Sequence, residues 1–193
     1  MKIAVYNFKG GQGKTVISLN LALTLGYGVV TNDVVAPIQK ILATEDFVKL
    51  DRDSVFPQFP ADLDLIFDLG GYIDDRGVSA LHQADWVLVP VLNEMVDIQV
   101  AINSINEFKK HNKNIVVLAN KLVKGDFEEI KEVVDNFFDL PVLPIKKSKA
   151  LPNIFVDKKS VRDMVAEGGL KRYHYEEVSK QFDDLISFIT TKN

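Results

Sequence analysis

Seven residues near the N-terminus, Lys9-Gly10-Gly11-Gln12-Gly13-Lys14-Thr15, put three glycines, two lysines and a hydroxyl into one short loop. Glycine reaches backbone conformations closed to other residues, and without a Cβ it lets an anion come close. Such a loop can therefore fold into a concave nest of inward-pointing N–H groups. The apolar run Ile3-Ala4-Val5-Tyr6 precedes it and Val16-Ile17-Ser18-Leu19 follows it. The loop thus joins a buried strand to a helix, the context a phosphate-binding loop needs. A helix starting near Lys14 adds its unsatisfied N–H groups and positive dipole end. There Lys14 reaches β- and γ-phosphates and the Thr15 hydroxyl ligates Mg²⁺.

A second element bears on the same chemistry. Leu65-Ile66-Phe67-Asp68 is an apolar strand ending in a carboxylate, and Leu69-Gly70-Gly71 follows. In an open α/β sheet the C-terminal strand ends face the ligand crevice, so Asp68 is expected to hold Mg²⁺ through water, with the glycines close to the γ-phosphate.

The loop does not follow the general G-x-x-x-x-G-K-[ST] form, since Phe8 stands where the first glycine belongs. With Asn7 and Lys9 it resembles the deviant Walker A loop of the ParA/MinD ATPases, typically N-x-K-G-G-x-G-K-T. Ala84-Asp85-Trp86-Val87-Leu88-Val89-Pro90-Val91 is similar to that family's A-D-x-V-L-x-P-V segment. The resemblance runs from Met1 to about Arg162, and the layout is that of short plasmid-type ParA proteins without an N-terminal helix-turn-helix domain. It implies that Lys9 through Thr15 bind ATP and that Lys9 crosses to a second protomer's phosphates. It also implies that Asn120, after the run Ile115–Ala119, reads the base; alternatively Asn120 is a plain turn residue at a strand end. The family's D-x-D-P-Q segment corresponds to Thr31-Asn32-Asp33-Val34-Val35-Ala36-Pro37. Asp33 aligns with the first aspartate, leaving Val35 at the second, or with the second, leaving Thr31 at the first; alternatively it only begins a turn. Catalytic roles then fall to Lys9, Lys14 and Asp33, and slow hydrolysis without a partner is expected.

The elements that must position these residues are legible as alternating patterns. Ile3–Tyr6, Val29–Val30, Leu65–Phe67, Trp86–Val91, Ile115–Ala119 and Val142–Ile145 are continuous apolar runs, suited to strands buried on both faces. Thr15–Leu25 reads as a buried helix stopping at Gly26. Stripes at Ile98, Ile102, Ile105 and Phe108, at Phe127, Ile130, Val134 and Phe137, and at Val178, Phe182, Leu185 and Ile189 mark three more. Asp126 with Glu129 suggests a capping box, and Thr44–Pro60 a surface excursion. The expectation is one doubly wound α/β domain over 1–193, a mostly parallel sheet with helices on both faces, of the P-loop NTPase type.

At 193 residues, 47% of them apolar, the chain can bury a sizeable core. It contains no cysteine, which excludes disulfides and an iron–sulfur cluster and fits a cytoplasmic location. His82, His111 and His174 show no ligand spacing. No run is long enough to span a membrane, and strand residues from position 2 leave no room for a signal peptide. Acidic Glu176, Glu177, Asp183 and Asp184 argue against the closing helix as an anchor to anionic lipid, so no membrane partner is expected.

The net charge of −4 conceals eight basic and three acidic residues between Lys146 and Arg172, a local +5 against −9 elsewhere. Lys146, Lys147, Lys149, Lys158, Lys159 and Arg162 are the expected contacts to nonspecific DNA. The family resemblance implies a Mg-ATP-dependent homodimer for plasmid or chromosome partition, associated with the nucleoid. A small ParB-like DNA-binding adaptor would stimulate hydrolysis. A nucleotide-gated scaffold for another cargo and a small-molecule ligase of the same superfamily are the alternatives.

Overall fold

The computed structural model describes residues 1–33, 36–51, 54–71 and 73–191. Its centre is β1 (Lys2–Tyr6), whose five residues are all buried. Successive side chains alternate between faces: Ala4 and Tyr6 enter one core, Ile3 and Val5 the other. The chain leaves β1 through the glycine loop into α1 (Lys14–Leu25), then β2 (Gly28–Thr31) and β3 (Phe47–Lys49). It returns as β4 (Leu65–Leu69), followed by α2 (Asp75–Gln83), β5 (Trp86–Val91) and α3 (Met95–Phe108). Next come β6 (Ile115–Leu122), α4 (Asp126–Phe137), β7 (Val142–Lys146), α5 (Ala150–Asp157), α6 (Val161–Ala166) and α7 (Gly169–Thr191).

The seven strands form one sheet in the order β3-β2-β4-β1-β5-β6-β7, every pair parallel. Helices α2, α3 and α4 pack on one face through Leu81, Ile105, Phe108 and Ile130. Helices α1, α5, α6 and α7 pack on the other through Ile17, Leu21, Ile154, Met164, Phe182 and Leu185. β1 lies between β4, reached on one side, and β5, reached on the other, so the chain reverses its winding beside β1. The crevice at the C-terminal strand ends lies there.

All six apolar runs are strands, and the four patterned helices form. Helix α1 is buried at six consecutive residues, Ile17 through Ala22, and ends at Gly26, whose φ of 71° permits the N–H to reach Ala22 O. The stripe Val178, Phe182, Leu185 and Ile189 of α7 is buried against the sheet. No helix among the described residues is long and apolar enough to cross a membrane.

Two readings change. The stretch 44–60 is not only an excursion: it carries the short edge strand β3, with the exposed Val48 between half-buried Phe47 and Lys49. Asp126 and Glu129 form no capping box. Gly125 is the cap residue of α4, while Asp126 accepts the Val123 N–H and both carboxylates hold the Asn93 amide. His82 and His111, distant in sequence, meet at 3.4 Å at the ends of α2 and α3. No third metal-ligating side chain completes a group there among the described residues.

Candidate functional site

The loop after β1 is held from several sides. Asn7, fully buried, donates from Nδ2 to Pro90 O at 2.8 Å and accepts the Lys9 N–H at 2.9 Å. Gln12, also buried, accepts the Leu92 N–H on Oε1 at 3.0 Å. Gly11 and Gly13 sit at φ 81° and 91°, where a Cβ is strained. At Gly13 a Cβ would also lie 2.6 Å from Asn120 Nδ2. Gly13 is the cap residue of α1 and supplies no side chain, so the first N–H groups of the helix face outward without a side-chain cap. Such a helix start favours an anion.

A cavity of about 840 Å³ opens above this loop, between the ends of β1, β2, β4 and β6 and the side of α5. Gly10, Gly11, Gly13, Lys14 and Thr15 line its floor, and Asp33 and Asp68 its acidic side. Leu151, Pro152 and Phe155 of α5 give it an apolar wall. A cavity of this size with a few convergent polar groups suits a nucleotide-sized ligand.

Lys14 spans the loop, donating from Nζ to Lys9 O at 2.8 Å. Burial holds its ammonium below the ordinary lysine value, while Asp68 and Asp33 pull the other way. Asp68 is 2% exposed and accepts from Thr15 Oγ1 at 2.9 Å and Ser18 Oγ at 3.2 Å. Burial pushes its carboxyl up to about 6, against the lowering effect of those two hydroxyls. A buried carboxylate in contact with a hydroxyl at the wall of a cavity fits the donor set of a hard divalent cation, which takes oxygen ligands. Thr15 and Asp68 are the residues that would hold Mg²⁺.

Two site residues turn away from the cavity. Lys9 points to the first turn of α3, its Nζ 2.5 Å from Oδ1 of Asp97. Asp97 is buried, its side chain 4% exposed, and Oδ1 takes no hydrogen bond beyond this ion pair among the described residues. The Gln12 side chain is directed to β5. Asn120 lines the cavity, but its amide is occupied: Nδ2 donates to Gln12 O at 2.7 Å and Oδ1 accepts the Lys121 N–H at 2.8 Å. Asn120 thus braces the phosphate loop from within the cavity lining, and its amide keeps a second N–H and a second lone pair. Asp33 begins a turn, its N–H on Thr31 Oγ1 and its carbonyl accepting the Ala36 N–H, and it also lines the cavity. Val35 lies outside the described residues.

Ser18, Asn32, Asp97 and Lys121 belong to the site without having been singled out in the sequence. Ser18 follows Thr15 by three positions on one helix face, a spacing that places both hydroxyls together. Asn32 makes a two-way amide pair with the backbone of Gly70 at 2.9 and 3.0 Å, tying the end of β2 to the turn after β4. Nothing local marks Asp97, which needs the folded sheet to bring α3 beside the loop.

The basic stretch is largely paired. Lys146 bonds Glu177, Lys159 bonds Glu167 at 2.7 Å, and Arg162 bonds Asp183 at 2.6 Å. Lys171 meets Asp157 and Glu167, and Arg172 meets Glu176. Among the described residues, Lys147, Lys149 and Lys158 have no acid partner of this kind. The local +5 counted along the sequence is therefore not a bare cationic patch, because α7 and its approach carry the compensating acids. Lys146 and Lys147 also line the nucleotide-sized cavity.

A family model described as the CobQ/CobB/MinD/ParA nucleotide binding domain matches residues 3–161. The chain belongs to this ParA/MinD family. A comparison with curated proteins finds no match in sequence. Among solved structures, a Cyanothece McdA variant in complex with ATP is similar with a TM-score of 0.66 at 12% identity, covering 98% of this chain and 96% of that one. MinD from Pyrococcus horikoshii, complexed with Mg-ADP, gives 0.64 at 16%, covering 97% and 98%. A ParA family ATPase from Chlorobium tepidum gives 0.62 at 17%, covering 94% and 98%. At these identities the likeness is one of fold, the ParA/MinD arrangement of a seven-stranded parallel sheet between two helical layers.

Proposed function

We propose that this protein is a Mg-ATP-dependent, dimerising ATPase switch that positions a large cargo, residues 1–193 forming one ATPase domain. The observation carrying the reading is that the uncapped helix start, Lys14, and the Thr15–Asp68 pair converge on one nucleotide-sized cavity. Lys14 exchanges the Lys9 carbonyl for phosphate oxygens, a stronger charge-assisted partner. Thr15 and Asp68 would hold Mg²⁺, which would supply neutralisation of phosphate charge. Asp33, beside them, orients the attacking water; with a single carboxylate available for that task, turnover is slow until a partner acts.

Lys9 gives the switch its second state. In one protomer it is held by Asp97; in a dimer it reaches the other protomer's phosphates. ATP favours the dimer because only the dimer offers that contact. The cargo proposed first is DNA, bound without sequence preference by Lys147, Lys149 and Lys158 from two protomers, with a ParB-like adaptor stimulating hydrolysis. A nucleotide-gated scaffold for another cargo is the second reading, favoured by the ion pairs that occupy Lys146, Lys159 and Arg162.

Light scattering on the full chain with Mg²⁺ and a slowly hydrolysed ATP analogue tests the switch. The expected mass doubles with nucleotide and remains that of a monomer for Lys14→Ala, which loses nucleotide, and for Lys9→Ala, which keeps it. A wild-type protein that binds the analogue yet stays monomeric would favour the small-molecule ligase instead.

A further inference from the structure

The end of β6 departs from a regular strand. Successive side chains of a strand point to opposite faces, yet Asn120 and Lys121 both grip the phosphate loop. Asn120 takes the Gln12 carbonyl, and Lys121 Nζ donates to the Gly11 carbonyl at 3.1 Å. Two features make this possible. The register of β6 on β7 shifts between Asn120 and Leu122, and Lys121 sits at φ 54°, in the left-handed region. An irregularity of this kind re-aims a side chain that the pleat would send the other way.

Lysine is a poor choice for that backbone. Its Cβ is crowded at positive φ, where glycine fits without strain. If only the turn mattered, glycine would make it better, so the conformation is retained for what the lysine side chain does. A bond from an exposed ammonium to a carbonyl adds little to folding. Its place is more informative: Lys121 lines the same cavity as Lys14 and the apolar wall of α5. Lys14, Lys121 and Asn120 together take the carbonyls of Lys9, Gly11 and Gln12. In a planar trans peptide the N–H lies opposite the carbonyl. Fixing the Gly11 and Gln12 carbonyls therefore fixes the direction of the Gln12 and Gly13 N–H groups, which form the anion nest.

We propose that Lys121 is a positioning residue of the nucleotide site, its ammonium setting the Gly11–Gln12 peptide of the phosphate loop and its aliphatic stem walling the cavity beside α5. This rests on the nucleotide-binding reading given above. Three variants of the full chain separate the roles of charge, stem and backbone: Lys121→Met, Lys121→Arg and Lys121→Gly. Affinity for Mg-ATP is read by calorimetry and Tm by thermal unfolding without nucleotide. Lys121→Met is expected to weaken Mg-ATP about tenfold, with Lys121→Arg restoring most of it. Lys121→Gly should move the two readouts in opposite directions, raising Tm by about 2–4 °C through relief of strain while weakening Mg-ATP at least as much as Lys121→Met. A purely structural bulge predicts the rise in Tm with unchanged affinity, and wild-type affinity in Lys121→Met and Lys121→Gly would overturn the proposal alone. Absence of Mg-ATP binding by the wild-type protein would overturn the nucleotide reading with it.

Discussion

The loop after β1 and the stretch after β7 are both rich in lysine, and the fold treats them in opposite ways. In the loop, Lys14 is drawn inside and bonded to a backbone carbonyl, and Lys9 is matched by the buried Asp97. Around the later stretch, Lys146, Lys159 and Arg162 meet acids at the surface, each pair at least partly exposed to solvent. Burial makes the first set consequential, because breaking a buried pair leaves a charge without water or partner. Exposed pairs gain little and are screened by salt. The first region can store a conformational decision, whereas the second can only adjust how much net charge the surface presents.

The sharpest way to break this contrast is to remove the buried charge. If Lys9 must leave Asp97 to reach a second protomer, the bare carboxylate opposes dimerisation, and an abandoned buried charge costs about 3–5 kcal/mol. Asp97→Asn keeps the shape and removes that opposition. The variant is expected to dimerise with the ATP analogue at a protein concentration at least about tenfold lower than wild type, measured by light scattering across a dilution series. Weaker or unchanged dimerisation, with Tm preserved, would mean that Asp97 holds Lys9 for the fold and not for the switch.

The same contrast explains what could be read in advance. The glycine loop, the Asp68 strand and the all-parallel sheet were legible because each is carried by neighbouring residues: a turn chemistry, a strand end, continuous apolar runs. Asp97 was not, since its meaning depends on α3 packing beside a loop far from it in sequence. Nor could the loop contact of Asn120 be read from its place at a strand end, because the Gln12 carbonyl 2.7 Å away is brought to it only by the fold. The pairing within the basic stretch was hidden for a related reason. Counting charge along the chain included Asp157, Asp163 and Glu167 but omitted Glu177 and Asp183, which α7 folds back onto Lys146 and Arg162, and Glu176, which pairs with Arg172 one turn away. β3 was hidden because an edge strand of three residues with an exposed centre has no buried run to reveal it.

A middle-sized effect separates paired from unpaired cations. If DNA is the cargo, replacing Lys147, Lys149 and Lys158 together by alanine removes these cations from both protomers of the dimer and should reduce the slope of log affinity against log salt by about 5, at roughly 0.9 for each duplex phosphate that is no longer neutralised. Replacing Lys146, Lys159 and Arg162 should change it by less, since those charges are already spent on Glu177, Glu167 and Asp183. Filter retention of duplex DNA by the ATP-bound protein at several salt concentrations makes the comparison. Equal reductions for the two sets would show that the ion pairs open on binding, and no retention at any salt would favour a cargo other than DNA.

The smallest effect on stability comes from Glu167, which lies between Lys159 and Lys171 at 2.7 and 2.8 Å. Their hydrogen bonds hold its carboxyl at about 2, below the ordinary 4.5. A carboxyl depressed in the folded state favours folding when ionised, so its contribution is present above pH 4.5 and is lost as pH falls toward 2. Glu167 is exposed and its pairs are screened, so Glu167→Gln should shift Tm at neutral pH by an amount near the limit of detection, and less in high salt. The difference from wild type should close as the pH is lowered through that window. The charge consequence is larger than the thermal one. Neutralising Glu167 releases Lys159 while Lys171 keeps Asp157, so the same variant should retain DNA more strongly at low salt than wild type does. A variant that loses Tm equally at both ends of that window, near pH 2 and above pH 4.5, would point to the hydrogen-bonding geometry of the Glu167 head group instead of its charge. Unchanged DNA retention would show that Lys159 faces away from the cargo, leaving Lys147, Lys149 and Lys158 as the cations that matter.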